Sequence, residues 1–83
     1  MEDKLKNMSL NEIAREIQFD WKKVNYAAKP YLEAMGCIKD IKDKYGLDSG
    51  SSIVSYFLTN ASTWKSEVAK AIKKELNLRL KKK

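Results

Sequence analysis

The chain has 83 residues, 43% hydrophobic and 34% charged, with 17 Lys and Arg against 11 Asp and Glu and no histidine. That balance describes one soluble, folded domain near the small end of what a single hydrophobic core supports. Without histidine there is no histidine-based acid–base catalysis, no Ser–His or Cys–His nucleophile and no Cys/His zinc site. Carboxylate and lysine chemistry stay open in principle, but every Asp and Glu lies in a polar stretch beside a Lys or at a helix end, so we expect a protein that is not an enzyme and carries neither cofactor nor metal.

Gly and Pro are too few for the many turns of an all-β chain. The expected fold is all-α, a compact single-domain bundle of about four helices spanning residues 9–80, with a charged lead-in at 1–8 and a basic tail at 81–83. Cys37 stands alone, which permits no internal disulfide and suits a reducing compartment. No apolar run approaches the ~18 residues of a membrane span, and the Met-Glu-Asp-Lys start has no apolar signal segment, so a cytoplasmic location is expected.

The first helix is expected over about 9–24. Ser9 is its N-cap, and Glu12 three residues later completes a capping box. Leu10, Ile13, Ala14, Ile17, Trp21 and Val24 then trace one helical face. The same stretch, SLNEIAREIQFDWKKVNYAAK, resembles the helix-turn-helix of bacterial DNA-binding proteins. Ala14 would be the small residue where two helices touch, Ile13, Ile17 and Phe19 would flank it, Asp20 would cap the second helix and Val24 would anchor it. That resemblance would direct Trp21, Lys22, Lys23, Asn25, Tyr26 and Lys29 to the major groove or to phosphates. Gln18 stands where the motif usually has Gly and Pro30 shortens the second helix, so one helix and two helices both remain open.

Pro30 marks a second helix over about 30–45, with Tyr31, Met35, Ile38, Ile41 and Tyr45 on one face. Gly36 is a point where it can bend or break, and Gly46 reads as its left-handed C-terminal cap. Asp48-Ser49-Gly50-Ser51-Ser52 is the turn-rich stretch; helix capping accounts for it better than phosphate binding. A third helix over about 50–60 places Ile53, Val54, Phe57, Leu58 and Ala61 on a broad apolar arc. The fourth, over about 63–80 with Ser62 or Thr63 as cap, turns Trp64, Val68, Ala71, Ile72 and Leu76 inward. Ile13, Ile17, Met35, Ile38, Phe57, Leu58, Val68 and Ile72 are the expected shared core. Trp21, Tyr45, Phe57 and Trp64 are placed on buried faces, and Phe19, Tyr26 and Tyr56 off them.

The charge is divided sharply. Residues 1–64 balance nine cations against nine carboxylates, whereas residues 65–83 carry eight against two. Lys65, Lys70, Lys73, Lys74, Arg79 and Lys81 therefore form the candidate binding surface, assisted by Lys22, Lys23, Tyr26 and Lys29. Clustered lysines of this kind are the electrostatic footprint of a nucleic-acid binder, and also fit an acidic membrane surface or an acidic protein groove. The bland account is a solvated helix face, since Lys is a good helix former and is favoured near a helix C-terminus. Glu75 and Arg79, four apart, are placed to pair with each other. Leu78 and Leu80, if left exposed, leave a homodimer open.

From Tyr45 to Leu76, YGLDSGSSIVSYFLTNASTWKSEVAKAIKKEL, and earlier in LNEIAREIQFDWKKVNYAAKPYLEAM, the chain resembles small uncharacterised all-helical accessory proteins of bacterial phages and other mobile elements. The resemblance spans about residues 9–76, contains no catalytic motif and brings no activity with it. It implies a setting in which DNA binders and small inhibitors of host enzymes or defence systems are common. Two expectations follow: a non-enzymatic protein binding nucleic acid through a basic C-terminal helix, or a small protein-binding inhibitor or adaptor of a nucleic-acid-handling enzyme or defence system.

Overall fold

The computed structural model describes residues 2–81, the first two by backbone alone. In chain order these form α1 (Glu2–Lys6), α2 (Leu10–Asp20), α3 (Lys29–Met35), β1 (Lys44–Tyr45), β2 (Asp48–Ser49), α4 (Gly50–Thr59) and α5 (Glu67–Lys81). The fold is thus mostly helical, as expected, with five helices and a two-stranded hairpin among the described residues in place of four helices alone. Residues 82 and 83 of the expected basic tail lie outside the described residues.

The expected lead-in is largely helix α1. Leu5 is fully buried, and α1 packs along α5. The capping box at Ser9 is present: the Ser9 backbone N–H donates to the Glu12 carboxylate at 2.8 Å, as does the Ser9 hydroxyl at 3.0 Å. Helix α2 then buries Leu10, Ile13, Ala14 and Ile17, but it stops at Asp20 instead of reaching residue 24. Trp21 still donates its N–H to Ile17 at 2.8 Å while leaving helical dihedrals (φ −96°, ψ 86°). Its ring stacks on Trp64 and meets the edge of Phe57, so the apolar periodicity continues as burial without continuing as helix.

The second expected helix departs in a similar way. Pro30 sits in the first turn of α3, but the helix ends at Met35, before Gly36. Ile38 and Ile41 remain buried from a loop. The loop prevails because its aspartates bind backbone amides locally: Asp43 accepts the N–H groups of Lys39 (2.9 Å) and Asp40 (3.1 Å), and Asp40 accepts that of Lys42 (3.2 Å). Such side chain–backbone bonds offer the chain an alternative to the helical ladder.

Gly46 adopts φ +65°, but in a hairpin turn instead of at a helix end. It is the first of two connecting residues between Tyr45 and Asp48, which pair across antiparallel strands, and a glycine there with positive φ is what a type II′ turn requires. Tyr45, expected in the core, is 48% exposed on this hairpin. Ser49 caps α4 by accepting the Ser52 N–H at 3.2 Å. Gly50 N–H donates to Asp43 O (2.7 Å) and Ser51 N–H to Ile41 O (3.0 Å), which fastens the 36–43 loop to the start of α4.

Helix α5 begins at Glu67, later than expected. Its cap is Ser66, whose hydroxyl oxygen accepts the Ala69 N–H at 3.0 Å, in place of Ser62 or Thr63. Six of the eight expected core residues are buried; Leu58 and Val68 pack at the margin. Trp21 and Trp64 join Phe57 as an aromatic cluster, their ring centroids 5.6–6.3 Å apart. The Cα radius of gyration is 11.4 Å, close to the ~12 Å of a compact domain of this length.

Candidate functional site

Helix α5 turns Ala69, Ile72 and Leu76 inward. At 100° per residue, Lys70, Lys74, Asn77 and Lys81 fall opposite within an arc of about 60°. All four are exposed. The 1.5 Å rise sets Lys74 about 6 Å beyond Lys70 and Lys81 about 10 Å further on, a ridge of three ammonium groups along the helix. Lys65 is exposed just before the helix starts. Lys70 lies 3.7 Å from Glu67, both side chains well exposed, an arrangement worth little in water.

Two members of the expected cationic cluster lie elsewhere. Lys73 is half-buried, and its ammonium donates to the carbonyls of Ala61 (2.7 Å) and Trp64 (2.5 Å) in the turn after α4. It also lies 5.9 Å from the centre of the Trp64 ring. Burial, and secondarily the neighbouring Lys65 charge, holds its pKa below the ordinary lysine value. Arg79 pairs with Glu75 as the spacing suggests, Nε to Oε2 at 2.7 Å with both side chains mostly buried. Its Nη2 donates to the carbonyls of Leu5 and Met8, each at 2.7 Å, closing the C-terminal end of α1. Leu80 packs against the core and Leu78 is exposed.

Lys22, Lys23 and Tyr26 occupy the irregular segment 21–28, and Lys29 opens α3; all four are exposed. The second helix of the helix-turn-helix pattern would have to start at Asp20, but the next helix starts at Lys29. Asp20 instead turns to the start of α5: its carboxylate accepts the Trp64 indole N–H at 2.8 Å and the Ser66 hydroxyl. This bond brings the end of α2 beside the first turn of α5. Lys22 there lines a cleft of about 350 Å³ with Glu16, Phe19, Asp20 and Val68, its ammonium 5.4 Å from the Phe19 ring centre. Tyr26, 90% exposed, lines a second cleft of about 490 Å³ with Lys29, Pro30, Glu33 and Tyr45.

A third cleft, also about 490 Å³, was missed by reasoning from sequence. Lys6, Lys39, Lys42 and Arg79 line it together with Asp40, Met8, Ile41, Asn7 and Ser9. In the sequence, Lys39-Asp40-Ile41-Lys42-Asp43-Lys44 reads as alternating charge with an excess of only one cation. The available signal was the tendency of Asp to bind the amide two residues on, which Asp40 does with Lys42.

Among the described residues no group of three or more His, Cys, Asp or Glu could hold a metal ion, and no helix is long and apolar enough to cross a membrane. Cys37 is exposed in the turn after α3. Fold and surface together define a small helical protein with a cation-bearing helix face. Comparison with protein-family models, curated proteins and solved structures finds no match to the chain.

Proposed function

We propose that this is a non-enzymatic accessory protein of a phage or mobile element that binds nucleic acid through the outer face of α5. Lys65, Lys70, Lys74 and Lys81 contact backbone phosphates. The observation that carries this reading is the exposed Lys70–Lys74–Lys81 ridge, opposite the buried stripe of the same helix. A ridge of point charges without a groove-reading helix suits phosphate contact more than base discrimination, so weak sequence preference follows.

Fluorescence anisotropy with random duplex and single-stranded DNA at two salt concentrations tests it. Binding should fall steeply with salt, and Lys70→Gln with Lys74→Gln should flatten the duplex salt slope by about 1.8. No binding at low salt, or binding indifferent to salt, would sink the reading.

A protein-binding inhibitor or adaptor is the second reading. It is favoured by Phe19, 67% exposed beside Val68 in the cleft that Lys22 borders, because exposed aromatics flanked by cations commonly anchor protein interfaces. Under that reading Phe19→Ala weakens partner capture more than the lysine changes do.

A further inference from the structure

The Lys6–Lys39–Lys42–Arg79 cleft carries charge that the linear sequence hides. Three separate segments meet there: the end of α1, the 39–42 loop and the last turns of α5. The Leu10 N–H donates to Lys39 O at 2.9 Å, drawing the loop against the start of α2 and so beside Lys6. The carboxylates interspersed with these lysines are turned to backbone amides, Asp43 to Lys39 and Asp40, and Asp40 to Lys42. Among the described residues, no ion pair within 4 Å uses Lys6, Lys39 or Lys42. Three lysines, with the Glu75-paired guanidinium of Arg79, therefore line the cleft beside one lining carboxylate, Asp40.

Arg79 is the fixed wall of this cleft. Its bonds to Glu75, Leu5 and Met8 leave the guanidinium no freedom to swing away, and Glu75, which offsets its charge, does not line the cleft. Met8 and Ile41 supply an apolar floor. A cleft of this volume, largely preformed and bearing a few convergent polar groups, has the form of a ligand site.

We infer that this cleft is a phosphate-binding site, held by Lys6, Lys39 and Lys42 against the fixed guanidinium of Arg79. Taking a nucleic-acid strand as the source of the phosphate rests on the reading in the previous section; the site itself stands on separate residues. Lys39 and Lys42 contribute structure through backbone atoms, and their ammonium groups are exposed, so Lys39→Gln with Lys42→Gln should fold normally by circular dichroism.

The test follows amide resonances of the ¹⁵N-labelled protein during titration with inorganic pyrophosphate, a nucleoside 5′-monophosphate and an unphosphorylated single-stranded oligonucleotide. All three should shift the amides of residues 39–42 and the Arg79 Nε–H, and the double variant should lose those shifts. It should also bind the oligonucleotide about fivefold more weakly, with a salt slope flatter by about 1.4. Shifts with pyrophosphate or the mononucleotide but no oligonucleotide binding would keep the site and remove the nucleic-acid reading. Oligonucleotide binding without shifts at 39–42, and unchanged in the double variant, would overturn the site and leave the α5 surface standing. No response to any ligand overturns both.

Discussion

Trp21 and Trp64 stack with ring centroids 5.6 Å apart and planes 10° from parallel. One follows α2 and the other follows α4, so their contact closes the first half of the chain onto the second. Phe57 meets both edge to face, and the Asp20 carboxylate accepts a hydrogen bond from the Trp64 indole N–H.

Truncating Trp64 or Phe57 to Ala should therefore cost about 3–5 kcal/mol. For a domain whose whole stability is about 4–12 kcal/mol, that endangers folding. Trp64→Phe keeps an aromatic ring but leaves Asp20 with one donor fewer, at about 1–3 kcal/mol. Urea denaturation followed by circular dichroism ranks these; an unchanged midpoint for Phe57→Ala would contradict the packing.

Gly50 lies against the 36–43 loop. A Cβ there would come within 2.7 Å of Asp40 O and 2.8 Å of Ile41 O, both backbone atoms that cannot rotate aside. Gly50→Ala should destabilise by about 1–3 kcal/mol, although Ala is the better helix former. A thermal melt shows the sign.

Breaking the Glu75–Arg79 pair tests whether α1 depends on α5. Arg79→Ala strands the Glu75 carboxylate and releases the carbonyls of Leu5 and Met8, and the loss of a mostly buried pair costs about 3 kcal/mol. Limited proteolysis should cut first near residues 6–9. Lys73→Met should lower stability by about 1–3 kcal/mol through the Ala61 and Trp64 carbonyls it abandons, while leaving the salt slope of any nucleic-acid binding unchanged.

Acid should loosen the start of α2. The Ser9 backbone N–H, and then its hydroxyl, favour the ionised Glu12 and hold its pKa below the ordinary value, with Arg15 adding a smaller pull. A carboxylate depressed in the folded state contributes stability above its unfolded pKa and loses it as pH falls through the folded one. Denaturation midpoints between about pH 5 and pH 3 should accordingly fall more for the wild type than for Glu12→Gln. Equal falls would mean that Glu12 contributes nothing through its charge.

What could be read along the chain was local. Ser9 with Glu12, Pro30 in a first helical turn, helix capping within residues 48–52 and the Glu75–Arg79 spacing are all local, and each is present. Burial was legible as well, from Ile13 to Ile72, but helix length was not. Trp21, Ile38 and Ile41 keep helical spacing while standing outside helices, because periodicity records which side chains are inside and not how the backbone brings them there.

The sequence alone therefore determined a small, mostly helical domain, its principal core residues, the capping box at Ser9 and the gathering of net charge towards the end of the chain, since all of these depend on composition or near neighbours. Tertiary structure decided the rest. It committed Lys73 and Arg79 to backbone carbonyls, gave Asp20 to Trp64 and Ser66, turned the loop aspartates onto their own amides, and assembled Lys6, Lys39 and Lys42 around one cleft. The availability of a charge to a partner depends on which polar groups lie within about 3 Å of it, and residues separated by up to 74 positions set those distances here.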